Sequence, residues 1–318
     1  MSMPASQFSL AVLGADDPLG ESFLKQLEER DIPVGRIFPV TLGDSENSVT
    51  FQGSDWPCES VEECDFSRAQ MLVATSAHPS AARLVDRVRA SYPLMPVLDL
   101  STVVPGPIVA IERVLRVLKA VGGVTRVDAF VSLPVGLAGK AGINELVEQS
   151  RGLFNMDTPE PEVFPLQIAF NVMPLMDMPG QRYCPASLKA ALNQLGDFGD
   201  VGFSAIWAPV FFGATAVLHV QSAETLVTPA QRETYLLGLR QALERREGIV
   251  LMEADIPAAN PTPATDSAES ADIFLGRVQV EAGRTCLWLV HDPLRLEADQ
   301  IVSFVENWID KPINSVLT

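Results

Sequence analysis

Four cysteines in 318 residues, Cys58, Cys64, Cys184 and Cys286, stand far apart and form no CxxC pair. A zinc ribbon and a disulfide framework are therefore not expected, and no metal site is assigned. Basic charge is also sparse: 23 Lys and Arg against 40 Asp and Glu leave a formal net charge of −17. Nucleic acid and anionic membrane surfaces both demand a basic footprint, so neither is expected as a partner. No apolar run approaches the ~18 residues of a membrane-spanning helix. Residues Met1–Gln7 have neither the basic nor the apolar region of a secretory signal, which makes the cytoplasm the expected compartment. Only three histidines occur, His78, His219 and His291, and no Ser-His-Asp or Cys-His arrangement can be read around them.

What is present is a chain long enough for two domains, with hydrophobic residues forming 47% of it. Phe8–Leu13 reads as a strand running into Gly14-Ala-Asp-Asp-Pro-Leu-Gly20, and Leu19, Phe23, Leu24 and Leu27 then recur at helical spacing to about Arg30. A strand over Val34–Val40 completes a βαβ unit of the dinucleotide-binding kind. Val49–Phe51 is a small extra strand, and Met71–Ser76, a helix with Ala82, Val85 and Val88 inward, and a strand over Pro96–Leu100 continue the alternation. Such alternation implies a parallel sheet covered by helices. A helix over Ile108–Ala120 follows, and then the pattern changes.

Strands over Val127–Leu133 and Phe203–Val220 and helices over Ile143–Phe154, Leu188–Leu195 and Pro229–Glu247 indicate an α+β second domain. The helix at Ile143–Phe154 is read with Glu145 and Glu148 on an acidic outer face, and Ile256–Ala271 as a mobile loop rich in Pro, Ala, Ser and Thr. Ile273–Val280 and Thr285–Val290 form a hairpin before a last helix over Leu296–Trp308. The fold class is therefore α/β: a Rossmann-type domain over 1–123, completed by 294–318, and an α+β domain over 124–293.

Several segments, in order, are similar to the aspartate-semialdehyde dehydrogenase family. Phe130–Gln149 resembles its Val-Ser-Thr-Tyr-Gln segment and the helix after it. Phe164-Pro-Leu-Gln-Ile-Ala-Phe-Asn171, with Pro174 and Asp177 following, resembles Phe-Pro-x-x-Ile-Ala-Phe-Asn. Ala208–Val217 resembles Arg-Val-Pro-Val-x-x-Gly-His-Ser through Pro209, Val210 and Gly213. Asp272–Arg277 and Leu287–Arg295 resemble the closing segments. The likeness spans nearly the whole chain and extends to the catalytically degenerate Usg-type paralogues. It implies a glyceraldehyde-phosphate dehydrogenase-like architecture, a second domain that makes the dimer, and an ancestral chemistry that reduces an acyl phosphate with NADPH through a cysteine thioester.

Residue by residue, the same resemblance implies that this machinery is missing. The position of the nucleophilic Cys falls on about Val109, and no Cys occurs between Cys64 and Cys184. The Gln position holds Leu133, the His position Ala214, the neighbouring Arg position Trp207, and a second basic clamp maps roughly to Gln194. No catalytic residue is assigned. Glu112, Lys119 and Lys140 are the nearest acids or bases to a repurposed site, each read as a solvated residue. Gly14 and Gly20 keep the outer spacing of a dinucleotide loop, vestigial cofactor-binding positions, while Asp17 takes the middle glycine. Asp17-Pro18 reads as an N-cap followed by Pro at the first helical position, so the helix is expected to cap itself. Between Ile37 and Ser67 there are seven acids and no Lys or Arg, which disfavours a 2′-phosphate. NAD(P) binding is expected to be weak or absent.

The expected role is that of a non-catalytic, homodimeric binding or regulatory protein. Its second-domain strands, Val210, Phe211 and Phe212 among them, would need cover on both faces. The resemblance also admits pairing with an active paralogue. The alternatives are an NAD(P)-dependent oxidoreductase on another aldehyde or acyl substrate, and a metabolite or nucleotide sensor using the ancestral cleft.

Overall fold

The computed structural model describes residues 8–43, 47–157, 159–176, 182–224, 226–252, 260–281 and 283–310. The chain divides into two compact units, Met1–Val104 with Glu297–Thr318, and Pro105–Leu296. The sequence reading places the divisions at 123/124 and 293/294. The difference lies mainly in one helix, Gly106–Gly122. Its buried residues Ile108, Ile111, Val114, Leu115 and Leu118 recur every three or four positions and seat it on strands and helices of the second unit.

The first unit runs β1 (Phe8–Leu13), α1 (Pro18–Glu29), β2 (Val34–Thr41), β3 (Ser48–Phe51), β4 (Ser54–Pro57), β5 (Glu59–Ser60), β6 (Met71–Ala74), α2 (Pro79–Ser91) and β7 (Val97–Leu98). Its sheet has the order β5-β2-β1-β6-β7, and every pairing is parallel. Residues 9–13 of β1 are all buried, as expected of a central strand covered on both faces. On one side Ala11, Leu13, Phe38, Val40 and Leu72 meet Leu84, Val85 and Val88 of α2. The extra strand over Val49–Phe51 forms, but it pairs with β4 in a hairpin outside the main sheet.

The second unit contains α3 (Gly106–Gly122), β8 (Arg126–Pro134), α4 (Gly139–Phe154), β9 (Met173–Pro174), α5 (Pro185–Leu195), β10 (Asp200–Ala208), β11 (Ala214–Gln221), α6 (Pro229–Glu244), β12 (Ile249–Leu251), β13 (Ile273–Glu281) and β14 (Arg284–His291), and the first turn of α7 (Pro293–Asp310). The mixed sheet has the order β12-β13-β14-β11-β8-β10-β9. Alternation decides its faces. Ala216, Leu218 and Val220 are buried together with their cross-strand partners Val131, Ala129 and Val127. The intervening row of Phe130, Val217 and Trp288 stays partly or fully exposed.

Three local expectations need correction. Glu145 lies on the inner face of α4, 7% exposed, and only Glu148 is solvated. The Glu145 carboxylate accepts from the backbone N–H groups of Glu162, Val163 and Phe164 and from Gln149, whose own Oε1 accepts from Ile168 at 2.8 Å and Ala169 at 3.1 Å. A segment without regular structure cannot satisfy its own backbone when buried, and these two side chains do it instead. Val210, Phe211 and Phe212 are not strand residues but form the turn from β10 to β11, where Gly213 takes φ +80° against Ser267. Residues 256–259 of the expected mobile loop, and Asp177, lie outside the described residues. The part described is ordered: Pro263–Ser267 makes a helical turn with Ser267 fully buried, and Trp288 donates to the Pro261 carbonyl at 2.8 Å.

Candidate functional site

The positions matched to the family's catalytic groups all fall in the second unit. Val109 occupies the first turn of α3 and is half-buried. Leu133 on β8 and Trp207 on β10 are parallel partners in register, and Leu133 is completely buried. The Trp207 ring meets Phe164 edge-on at 5.4 Å and joins the core of Val135, Leu146, Ile168 and Met173. A side chain that elsewhere would clamp an anion is here packing material. Gln194 is exposed near the end of α5. Glu112 is not solvated as expected: it is 9% exposed and ion-paired with Arg116 one turn along α3. Lys119 donates to the Asp197 carbonyl, and Lys140 is exposed.

Ala214 opens β11, fully buried, and its partner across the ladder is His291 at the end of β14. His291 is also fully buried, and neither ring nitrogen has a hydrogen-bond partner. Burial alone lowers its pKa from 6.5 to about 3, so the imidazole is neutral. An imidazole therefore stands one strand away from the position that the resemblance gives to a histidine. Sequence reading missed it, because Ala214 and His291 become neighbours only through strand pairing. His78 is explained locally, since its Nδ1 accepts from Ser80 at the start of α2.

The glycine loop lies in the first unit. Gly14 takes φ +79° and donates to the Val40 carbonyl at 2.8 Å. A Cβ on Gly20 would lie 2.1 Å from the Gly14 carbonyl oxygen, so the loop needs both glycines for its own closure. Asp17 holds the N-cap position of α1, but its side chain makes no capping bond, contrary to the self-capping expectation. The carboxylate that closes the loop is Asp16, buried, which accepts from Thr41 at 2.9 Å and Asn47 at 2.8 Å. It ties the loop after β1 to the carboxyl end of β2, where open α/β sheets bind nucleotides. A fixed carboxylate there repels a phosphate, and no Lys or Arg between Ile37 and Ser67 offsets it. The residues present do not fit NADP(H).

A nucleotide-type parallel sheet followed by a unit with a large mixed sheet is the architecture this chain shares with solved aspartate-semialdehyde dehydrogenases. The model of the semialdehyde dehydrogenase dimerisation domain matches residues 116–296, more than half of the sequence, and the chain belongs to that family. The aspartate-semialdehyde dehydrogenase of Shewanella violacea is 28% identical, with 92% of this chain and 94% of that protein covered. A USG-1 protein homolog of Azotobacter vinelandii is also 28% identical, with 90% and 93% covered. Among solved structures, aspartate semialdehyde dehydrogenase II of Vibrio cholerae superposes with TM-score 0.74 at 22% identity, covering 95% of this chain and 98% of that one. A probable aspartate-semialdehyde dehydrogenase of Pseudomonas aeruginosa gives 0.73 at 25% identity, covering 94% and 98%.

Proposed function

We propose that this chain is a non-catalytic, homodimeric member of the family that acts by binding or regulation. The observation that carries this reading is the content of the matched positions: Val109, Leu133, Trp207 and Ala214 stand for Cys, Gln, Arg and His, and Leu133, Trp207 and Ala214 serve as core. Thioester chemistry has no first step without a thiol, and replacing one missing group does not return the others. Purified protein supplied with aspartate semialdehyde, phosphate and NADP should give no turnover. Activity that follows this chain through every purification step would overturn the reading.

Dimerisation is supported by apolar surface in the second unit. Phe130 is 44% exposed, Phe170 68%, and Phe211 and Phe212 41% each. A two-fold partner would cover such residues by an isologous contact. Sedimentation equilibrium should find a dimer at micromolar concentration, and a monomer there would remove this part. Pairing with an active paralogue follows from the same surface, and a mixed-subunit pull-down tests it. The cytoplasm remains the proposed compartment; among the described residues no helix is long and apolar enough to cross a membrane.

One observation favours a second reading, a repurposed enzyme on another aldehyde or acyl substrate. The unpartnered imidazole of His291 beside Ala214 is the kind of group a new reaction would use. Loss of turnover on any aldehyde in a His291→Gln variant would support it.

A further inference from the structure

Cys286 Sγ lies 3.1 Å from His219 Nδ1, which corrects the reading that no Cys-His arrangement is present. The pair stands two residues along from Trp288 and Val217, on the face assigned to the dimer partner, and is therefore covered in the dimer. The opposite face of the sheet carries the buried row Ala216, Leu218, Val220 and Ser222. Where that row ends, the chain brings α3 and α6 together. Ser222 Oγ donates to the Gly122 carbonyl at the end of α3 at 2.7 Å. The Tyr235 ring of α6 lies so close to Gly122 that a Cβ there would come within 2.4 Å of it.

Beside this junction lies an open groove of about 450 Å³, with Ser222, Glu224, Leu226, Val227, Arg232 and Gly283 in its lining. Its frame is fixed by the chain itself. Thr228 and Gln231 cap α6 reciprocally, and the Gly283 carbonyl accepts from the Ser222 N–H and the Gln221 amide, each at 3.1 Å. Arg232 is folded back over the loop: its Nε and Nη2 donate to the Thr228 and Val227 carbonyls at 3.4 and 3.3 Å. A guanidinium has five N–H donors, so most of them remain for a ligand. Glu224 is held by its own N–H, which donates to Ser222 Oγ at 3.0 Å, and it is exposed. Burial raises the Tyr235 phenol above its ordinary range; Thr285 and Ser222 oppose this, and the nearby Glu224 charge adds to it. Among the described residues neither Glu224 nor Arg232 has an ion-pair partner, each other included. A second open groove, of about 590 Å³ in the first unit, has Glu28 and Asp31 but no cation in its lining.

We propose that the groove between β11 and α6 binds an aliphatic α-amino acid as its zwitterion, with Arg232 on the carboxylate and Glu224 on the ammonium. A groove that holds one unpaired charge of each sign is matched by a ligand that carries both, because a singly charged one leaves either Arg232 or Glu224 unanswered. Leu226 and Val227, 7% and 70% exposed, supply an apolar wall beside the two charges for the ligand's side chain. The guanidinium is already held by two carbonyls, so little of its freedom is lost on binding. The volume lies within the range of small-molecule sites. Glu224, Leu226, Val227 and Arg232 are neither matched catalytic positions nor part of the apolar surface assigned to the dimer. The site therefore stays open in the dimer, and its failure would leave the proposed function untouched.

The test titrates L-leucine into the full-length native protein by calorimetry. The matched probes are 4-methylpentanoate, which lacks the ammonium, and 3-methylbutylamine, which lacks the carboxylate. L-leucine should saturate at about 10 mM or below. Each singly charged probe should bind about tenfold more weakly, the loss of one charge-assisted contact. Glu224→Gln should weaken L-leucine about tenfold and leave 4-methylpentanoate unchanged. Arg232→Gln should weaken L-leucine as much and leave 3-methylbutylamine unchanged, since each variant removes only the contact that its probe already lacks. No saturable heat with L-leucine would overturn the proposal. So would 4-methylpentanoate or 3-methylbutylamine binding wild type as tightly as L-leucine, a result that stands even if a variant fails to fold.

Discussion

Glu145 and His291 are both buried polar side chains of the second unit, and their surroundings are opposite. The oxygens of Glu145 accept from three backbone N–H groups and an amide, and its neighbour Gln149 accepts from two more. Both nitrogens of His291 stand without a hydrogen-bond partner. The first arrangement fixes a segment that has no regular structure of its own. The second carries an unpaired polar cost of about 1–3 kcal/mol that packing around it must offset. The Glu145 network is thus fully answered, whereas the polar group beside the matched histidine position is not.

The comparison is broken most severely at Glu145. Glu145→Ala leaves the N–H groups of residues 162–164 without their acceptor and should destabilise the second unit by about 3 kcal/mol or more. Glu148→Ala, one turn away on the solvated side, should stay within about 0.5 kcal/mol of wild type. Urea unfolding of the two variants measures both, and equal losses would mean that the buried network carries no special weight.

Acid sharpens the other half. The folded pKa of His291, about 3, lies below its ordinary 6.5. Between those values the unfolded chain binds a proton that the folded chain does not. Stability is therefore full above the upper value and is lost as pH falls, by up to about 1.4 kcal/mol per pH unit from this residue. His291→Leu should remove that share of the slope and gain about 1 kcal/mol at neutral pH, since an apolar group leaves nothing unpaired. Parallel stability curves for wild type and variant would refute the assignment.

A smaller effect is expected in the first unit. Asp16→Thr with Asp17→Gly removes two negative charges from the glycine loop and frees Thr41 and Asn47. NAD affinity should rise by about 1 kcal/mol, roughly fivefold. Titration calorimetry showing tight binding by wild type and no change in the variant would show that the loop never opposed the nucleotide.

Periodicity made most of the fold legible. The run Phe8–Leu13, the helix from Pro18 and the alternation of Ala216, Leu218 and Val220 appear where expected, since each is a local consequence of which side chains must be buried. The last helix is longer than its apolar pattern, because the Asp292 carboxylate accepts from Leu294 and Arg295 and starts it at Pro293. Glu145 was misread because an acid at a helix position normally faces water, and its partners lie in a segment with no pattern of its own. The site was legible at its matched positions only as residue types. The pairings of Ala214 with His291 and of Cys286 with His219 depend on register among strands far apart in the chain, which no single stretch encodes.

The smallest effect expected is none. Val109→Cys puts a thiol in the first turn of α3, where the resemblance places the nucleophile. A helix N-terminus favours a thiolate, and a half-buried Val to Cys change is mild in volume, so the variant should fold and its thiol should titrate. Catalysis still requires a base and groups that orient the acyl phosphate. Leu133 and Ala214 offer neither, and Trp207 is held in the core by Phe164. His291 is the single imidazole near the matched histidine position, and burial keeps it neutral with its nitrogens away from solvent. Residues that act as a unit are strongly non-additive, so one restored member recovers little. Mass spectrometry after incubation with aspartyl phosphate should find no acyl group on Cys at this position. An acyl adduct that forms in Val109→Cys and disappears in Val109→Cys with His291→Leu would instead show that His291 has taken over the base's work.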